Sequence, residues 1–127
     1  QLKQKEANPK SKMVFADKGQ IETVLNNLII NAINYGKDEG LILVGISSVE
    51  NQILLEVMDE GPGIESQHLP RLFERFYRID SHRSRYDGGN GLGLSICKHI
   101  IDAHQQSIHV RSTIDKGTTF GFTLAKA

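Results

Sequence analysis

Residues 20–36, QIETVLNNLIINAINYG, decide how this chain is read. Ile21, Leu25, Leu28, Ala32 and Tyr35 recur at the spacing of one buried helix face. Beside that face Asn27, Asn31 and Asn34 make a second stripe, spaced four and then three residues apart. Asparagine is a poor interior helix residue, because its amide competes for backbone partners. A single one is accounted for by a satisfied buried amide; three in register on an apolar helix point to a polar ligand.

Outward from this helix, Asp17 with Gln20 three residues later predicts its N-terminus, and Gly36 its stop. Residues 2–7 and 13–16 read as short strands flanking a turn at Asn8-Pro9. Residues 41–49 and 52–59 are β-rich around Glu50-Asn51, which predicts a hairpin. Within the second, Ile53, Leu55 and Val57 alternate with Leu54, Glu56 and Met58, the pattern of a sheet covered on one face. A short helix is expected in residues 66–77, where Leu69, Leu72, Phe73 and Phe76 keep helical spacing. Residues 60–91 form a long connection with little core, the pattern of a lid. From Leu92 the helical period returns, with Leu92, Ile96, Ile100 and Ala103 on one face and Cys97 beside it as a small buried hydrophobe. Residues 107–113 and 118–124 alternate around Asp115-Lys116-Gly117, a closing hairpin. Helices and a mainly antiparallel sheet in this order make an α/β two-layer sandwich.

Composition narrows the function. A chain of 127 residues, 39% hydrophobic and 24% charged, suits one ordinary globular domain. Fifteen basic residues balance fifteen acidic ones, which leaves no basic footprint for nucleic acid. No apolar run reaches membrane-spanning length and no signal peptide opens the chain, so no direct membrane contact is expected of this domain. A single cysteine excludes an internal disulfide and suits a reducing compartment. The start at Gln1, without Met, is compatible with an excised fragment.

Two glycine-rich stretches suggest what the asparagines face. Asp59-Glu60-Gly61-Pro62-Gly63 leaves a strand end, and Gly88-Gly89-Asn90-Gly91-Leu92-Gly93 runs into a helix start. Glycine lets backbone approach a ligand, and free N–H groups at a helix start favour phosphate. The common phosphate motifs are absent: the sixth position from Gly89 is Leu94, Gly93 is followed by Leu94 and not by Lys-Ser/Thr, and His82-Arg83-Ser84 lacks the catalytic Asp of protein kinases.

The asparagine helix, DEGPG, LFERFYR, GGNGLGL and KGTTF, in this order, resemble the boxes of the ATP-binding catalytic domain of sensor histidine kinases. That domain belongs to a superfamily with gyrase, heat-shock chaperone and mismatch-repair ATPases. The resemblance covers the chain from Met13 onward. It implies a mixed, mainly antiparallel sheet of about five strands with three helices on one face and a flexible ATP lid. By this resemblance Asn31 would coordinate the Mg²⁺ that bridges the phosphates, with Asn27 supporting it. Asp59 would accept the adenine amino group, Gly61 and Gly63 would admit the base, and Tyr35 would flank it. Phe73 and Phe76 would anchor the lid's base. Arg78, ahead of Arg75, would touch the γ-phosphate; Gly89, Gly91, Leu92 and Gly93 would wrap the phosphates; Thr118 and Thr119 would close the adenine side. Where the family commonly has Lys or His this chain has Asn34, a neutral amide that weakens a phosphate contact there, so Asn34 is not among the expected site residues.

The hydrolytic relatives place a general-base Glu one turn before the metal Asn. Here that position is Asn27, which cannot take a proton at neutral pH, and this favours transfer to histidine over hydrolysis or a serine hydroxyl. The alternatives are an ATPase, a serine-kinase relative or a nucleotide-sensing module. None of His68, His82, His99, His104 and His109 lies in the family's acceptor pattern. The dimerisation and phosphoacceptor domain is therefore expected before Gln1, a response regulator downstream, and the whole as the cytoplasmic part of a membrane-bound bacterial sensor kinase.

Overall fold

The computed structural model describes residues 13–77 and 92–127 in full and residues 2–6 through their backbone. The turn expected at Asn8-Pro9 lies outside the described residues. Strand β1 (Leu2–Glu6) is followed by β2 (Val14–Phe15), helix α1 (Lys18–Tyr35), β3 (Ile42–Val49) and β4 (Gln52–Asp59). A 3₁₀ helix (Ser66–Arg71) comes next, then α2 (Gly93–Ala103), β5 (Ile108–Thr113) and β6 (Gly117–Lys126).

Helix α1 starts where expected, because Asp17 Oδ1 accepts the Gln20 N–H at 3.0 Å. The Asp17 N–H in turn donates to His104 Nε2 at 3.0 Å, and His104 Nδ1 lies 2.8 Å from the Ile100 carbonyl. That neutral imidazole ties the end of α2 to the start of α1. The sheet runs β1-β3-β4-β6, with β5 and β2 both on the far edge of β6. It is five strands wide, because β5 takes residues 117–122 of that edge and β2 only residues 125–126. All pairs are antiparallel except β1 with β3, whose parallel pairing needs a crossover that α1 provides.

Alternation along β4 and β6 puts Ile53, Leu55, Val57 and Phe120, Phe122, Leu124 on one face, against the helices. Phe122, Leu28, Ile101, Leu124, Val24, Val57 and Cys97 are the largest fully buried side chains. Truncating such a residue as Leu28 to alanine costs about 2–5 kcal/mol. Two helix faces differ from expectation. On α1 the buried residues are Val24, Leu28 and Ala32, with Ile21 and Leu25 packed beside them and Tyr35 half-buried at the end. On α2 the buried face is Cys97, Ile100 and Ile101, whereas Ile96 is 42% exposed and Ala103 is exposed. The rotation follows from α1: Cys97 Sγ lies 3.8 Å from the Val24 carbonyl, a close approach that the larger Ile96 would not permit. Cys97 is fully buried, and burial pushes its thiol up to about 12.

The segment expected as a helix in residues 66–77 forms only the short 3₁₀ helix, since Pro70 inside it supplies no N–H. Phe73 packs edge-on against Phe120, with ring centroids 6.1 Å apart. Among the described residues Phe76 anchors no core contact: it is 63% exposed, at φ 64. Among the described residues no helix is long and apolar enough to cross a membrane.

Candidate nucleotide site

Strand β4 ends at Asp59, directly opposite Thr118 in β6. Cross-strand partners share a face of the sheet, here the helix side, with β-carbons about 5 Å apart. Asp59 Oδ1 accepts the Gly61 N–H at 2.8 Å, and the Thr118 N–H also bonds the carboxylate. Burial nevertheless dominates and raises the Asp59 carboxyl above the ordinary range, with these two N–H groups opposing it. Among the described residues no basic side chain forms an ion pair with it. A half-buried carboxylate with lone pairs to spare and no cation suits a neutral N–H donor.

Three backbone segments close around Asp59, and two glycines allow it. A Cβ on Gly61 would run into the Tyr35 carbonyl oxygen and sit 2.8 Å from Gly36 Cα. A Cβ on Gly117, whose φ is 139°, would collide with the Asp59 carbonyl. Gly61 was expected to admit a base; what it admits at close range is the end of α1. Gly63, at φ 81, likewise faces the Thr113 carbonyl. Ser112, which the sequence reading passed over, joins these segments. Its Oγ accepts the Ile64 N–H at 2.8 Å, donates to the Gly117 carbonyl at 3.0 Å and lies 2.8 Å from Thr118 Oγ1. Counting the register back from the Asp-Lys-Gly turn places Ser112 opposite Thr118, which was the available signal.

The other end of the asparagine stripe meets α2. Helix α2 begins at Gly93, and Leu92 at its cap contributes no side-chain bond. Asn27 Oδ1 lies 3.6 Å from the place a Gly93 Cβ would take, and the Asn27 amide also bonds the Cys97 thiol, opposing the effect of burial there. Asn31, one turn on, is half-buried, and no hydrogen bond joins its side chain to any described residue. Asn34 and Tyr35 are half-buried further along. From Asn27 to Gly36 the helix rises roughly 13 Å. The Asp59 carboxylate thus lies beside one end of α1, and the Gly93 start of α2 beside Asn27 toward the other.

The remaining candidates fall elsewhere. Arg78, Gly89 and Gly91 lie outside the described residues. Thr119 pairs with Met58 and Arg111, and alternation sends its side chain to the opposite face of the sheet from Asp59. At the base of the expected lid His68 Nδ1 hydrogen-bonds the Tyr77 hydroxyl, and the Arg71 guanidinium lies 4.5 Å from the Tyr77 ring centroid. Arg71 is itself paired with Glu74 at 3.2 Å. This cluster fixes Tyr77, the residue before Arg78, and nothing in the helical spacing indicated it.

Residues 16–127 match the family described as histidine kinase-, DNA gyrase B-, and HSP90-like ATPase. The chain is 39% identical to the phosphate regulon sensor protein PhoR of Haemophilus influenzae, over 90% of this chain and 27% of that protein. It is 42% identical to PhoR of Pseudomonas aeruginosa, over 85% of this chain and 24% of the relative. With sensor protein SrrB of Staphylococcus aureus the identity is 44%, over 87% and 19%. The chain therefore spans about a quarter or less of the length of these relatives. Among solved structures, full-length ShkA in complex with AMPPNP aligns with a TM-score of 0.85 at 26% identity, over 99% of this chain and 26% of that one. The catalytic domain of the histidine kinase ThkA aligns with a TM-score of 0.82 at 28% identity, over 98% and 78%.

Proposed function

Since the chain belongs to the histidine kinase-, DNA gyrase B-, and HSP90-like ATPase family, we propose that it binds Mg-ATP along α1 and donates the γ-phosphoryl group to a histidine. The acceptor is on the dimerisation domain of a two-component sensor histidine kinase, and a response regulator receives the group next. The reading extends to the whole chain as one catalytic domain, placed on the cytoplasmic side of a bacterial membrane by the rest of the protein. The observation that carries the proposal is the pair of features at the two ends of the asparagine stripe: the half-buried Asp59 carboxylate beside the end of α1, with no ion-pair partner among the described residues, and the Asn27–Gly93 junction at the other end.

Each residue then has a task. Asp59 accepts the adenine amino group, Tyr35 flanks the base, and Gly61 and Gly117 keep the carboxylate in place by letting backbone pack around it. Asn27 orients the start of α2, so that the N–H groups after Gly93 point toward the phosphates. Asn31 would hold Mg²⁺; its amide oxygen is a hard, neutral ligand with no competing partner among the described residues, which suits an ion that keeps several waters. When bound, Mg²⁺ neutralises charge on the transferring phosphoryl group. Arg78, Gly89 and Gly91 are assigned to the phosphates from the sequence alone. With Asn27 in place of a general base, no side chain on that turn activates water, whereas neutral imidazole presents its own lone pair to the phosphoryl group. Catalysis then consists of positioning and charge stabilisation.

The reading is tested by titrating the protein with a fluorescent ATP analogue, with and without Mg²⁺. Saturable, Mg²⁺-strengthened binding that ATP displaces is expected. Absence of binding contradicts the proposal.

A further inference from the structure

We propose that Ser112 sets the polarity of the Thr118 hydroxyl, making it an obligate acceptor beside Asp59, and that this pair selects adenine over guanine. The inference rests on the nucleotide reading of the site and adds a positioning residue to it.

A serine hydroxyl has one proton and two lone pairs. The Ile64 N–H, 2.8 Å from Ser112 Oγ, can only donate, and the Gly117 carbonyl, 3.0 Å away, can only accept. The Ser112 proton therefore goes to Gly117, and one lone pair takes the Ile64 N–H. What remains for Thr118 Oγ1, 2.8 Å away, is the second lone pair, so Thr118 must donate its own proton to Ser112. The reverse arrangement would leave Ser112 Oγ and the Gly117 carbonyl facing each other at 3.0 Å with no proton between them. Ser112 is then saturated, and its orientation is fixed by two backbone groups that cannot rotate.

Thr118 is left with lone pairs only. It is 6% exposed, and it stands opposite Asp59 on the same face of the sheet. A ligand group between them meets a carboxylate and a hydroxyl that both accept. An exocyclic amino group, with two N–H bonds, satisfies such a pair directly. A ring carbonyl at the same place would meet two acceptors and no donor. Without Ser112, the Thr118 hydroxyl is free to rotate and donate, and a carbonyl is no longer penalised twice.

The test measures displacement of a trinitrophenyl-ATP probe by ATP and by GTP. The parent protein should prefer ATP. Ser112→Ala should reduce the ATP-to-GTP affinity ratio by about fivefold or more, and Ser112→Thr, which keeps the hydroxyl, should restore it. In a Thr118→Val background Ser112→Ala should change the ratio no further, because Ser112 acts through Thr118. Should Ser112→Ala not fold, Ser112→Cys offers a weaker acceptor at the same place and carries the same prediction. A merely structural Ser112 would weaken both nucleotides alike and leave the ratio intact; that result overturns the inference while the nucleotide reading stands. Failure of the parent protein to bind either nucleotide overturns both.

Discussion

Replacing Gly61 by alanine separates packing from ligand contact at Asp59. The added Cβ would run into the Tyr35 carbonyl oxygen and sit 2.8 Å from Gly36 Cα and 2.9 Å from Asp59 Oδ1. Two of these three obstacles are backbone, so rotating the Asp59 side chain would not relieve them, and the strand exit must move away from α1. Overpacking of this kind costs roughly 1–3 kcal/mol. In a domain of this size each kcal/mol moves the melting temperature by about 3–5 °C, which predicts a fall of roughly 3–15 °C. Gly19→Ala is the matched control: its Cβ would meet only Asp17 Oδ1, at 3.6 Å, and alanine in a helix gains up to about 1 kcal/mol over glycine. It should melt at or above the parent temperature. Because the displaced segment carries the N–H that holds Asp59, Gly61→Ala should also weaken the fluorescent ATP analogue at temperatures where it remains folded. Parent-like melting together with parent-like affinity would refute the packing argument.

Asp59→Asn should lower ATP affinity by about tenfold or more, since an amide N–H replaces the acceptor, yet leave the domain at least as stable near pH 7. The sign follows from burial: with the folded carboxyl raised, its stabilising contribution is complete below the ordinary carboxylate range and is lost as pH rises through the raised value. The parent should thus gain relative to Asp59→Asn as pH falls, while its ATP affinity drops over the same interval; melts and titrations across pH that show the opposite trends would contradict this. Asn31→Ala should abolish Mg-ATP binding with little change in the melt, and unchanged affinity removes Asn31 from the metal role. His104→Ala should cost about 1 kcal/mol in urea unfolding, because the Asp17 N–H loses its acceptor and the Ile100 carbonyl keeps only the backbone N–H of residue 104; an unchanged midpoint would mean that water replaces both lost bonds fully.

Most of the architecture was legible because it rests on local signals. The Asp17 cap, the Glu50-Asn51 and Asp-Lys-Gly turns and the alternation in β4 and β6 are each decided within a few residues. The helix faces were less so. The α2 face depends on how closely two helices approach, and Cys97 against the Val24 carbonyl is a tertiary contact with no periodic signature. For the same reason the exposed Phe76, with its left-handed backbone, was read as an anchor. At the candidate site Asn27 stood out by residue type and spacing, and Asp59 through the resemblance of the DEGPG stretch to the family's box. Ser112 did not, since its importance comes from three partners contributed by three separate segments. Thr119 was grouped with Thr118 by adjacency, although neighbours on a strand face opposite ways.

The central claim is that this chain carries the donor half of a phosphoryl transfer to histidine. The most direct measurement mixes the protein with [γ-³²P]ATP, Mg²⁺ and the dimerisation segment of its own parent kinase, and follows label on that segment. The account predicts an adduct that acid removes and base leaves intact, no labelling of the 127-residue chain alone, and only trace hydrolysis in the absence of the acceptor. Brisk hydrolysis by the isolated chain, or an acid-stable adduct on a serine, would contradict it.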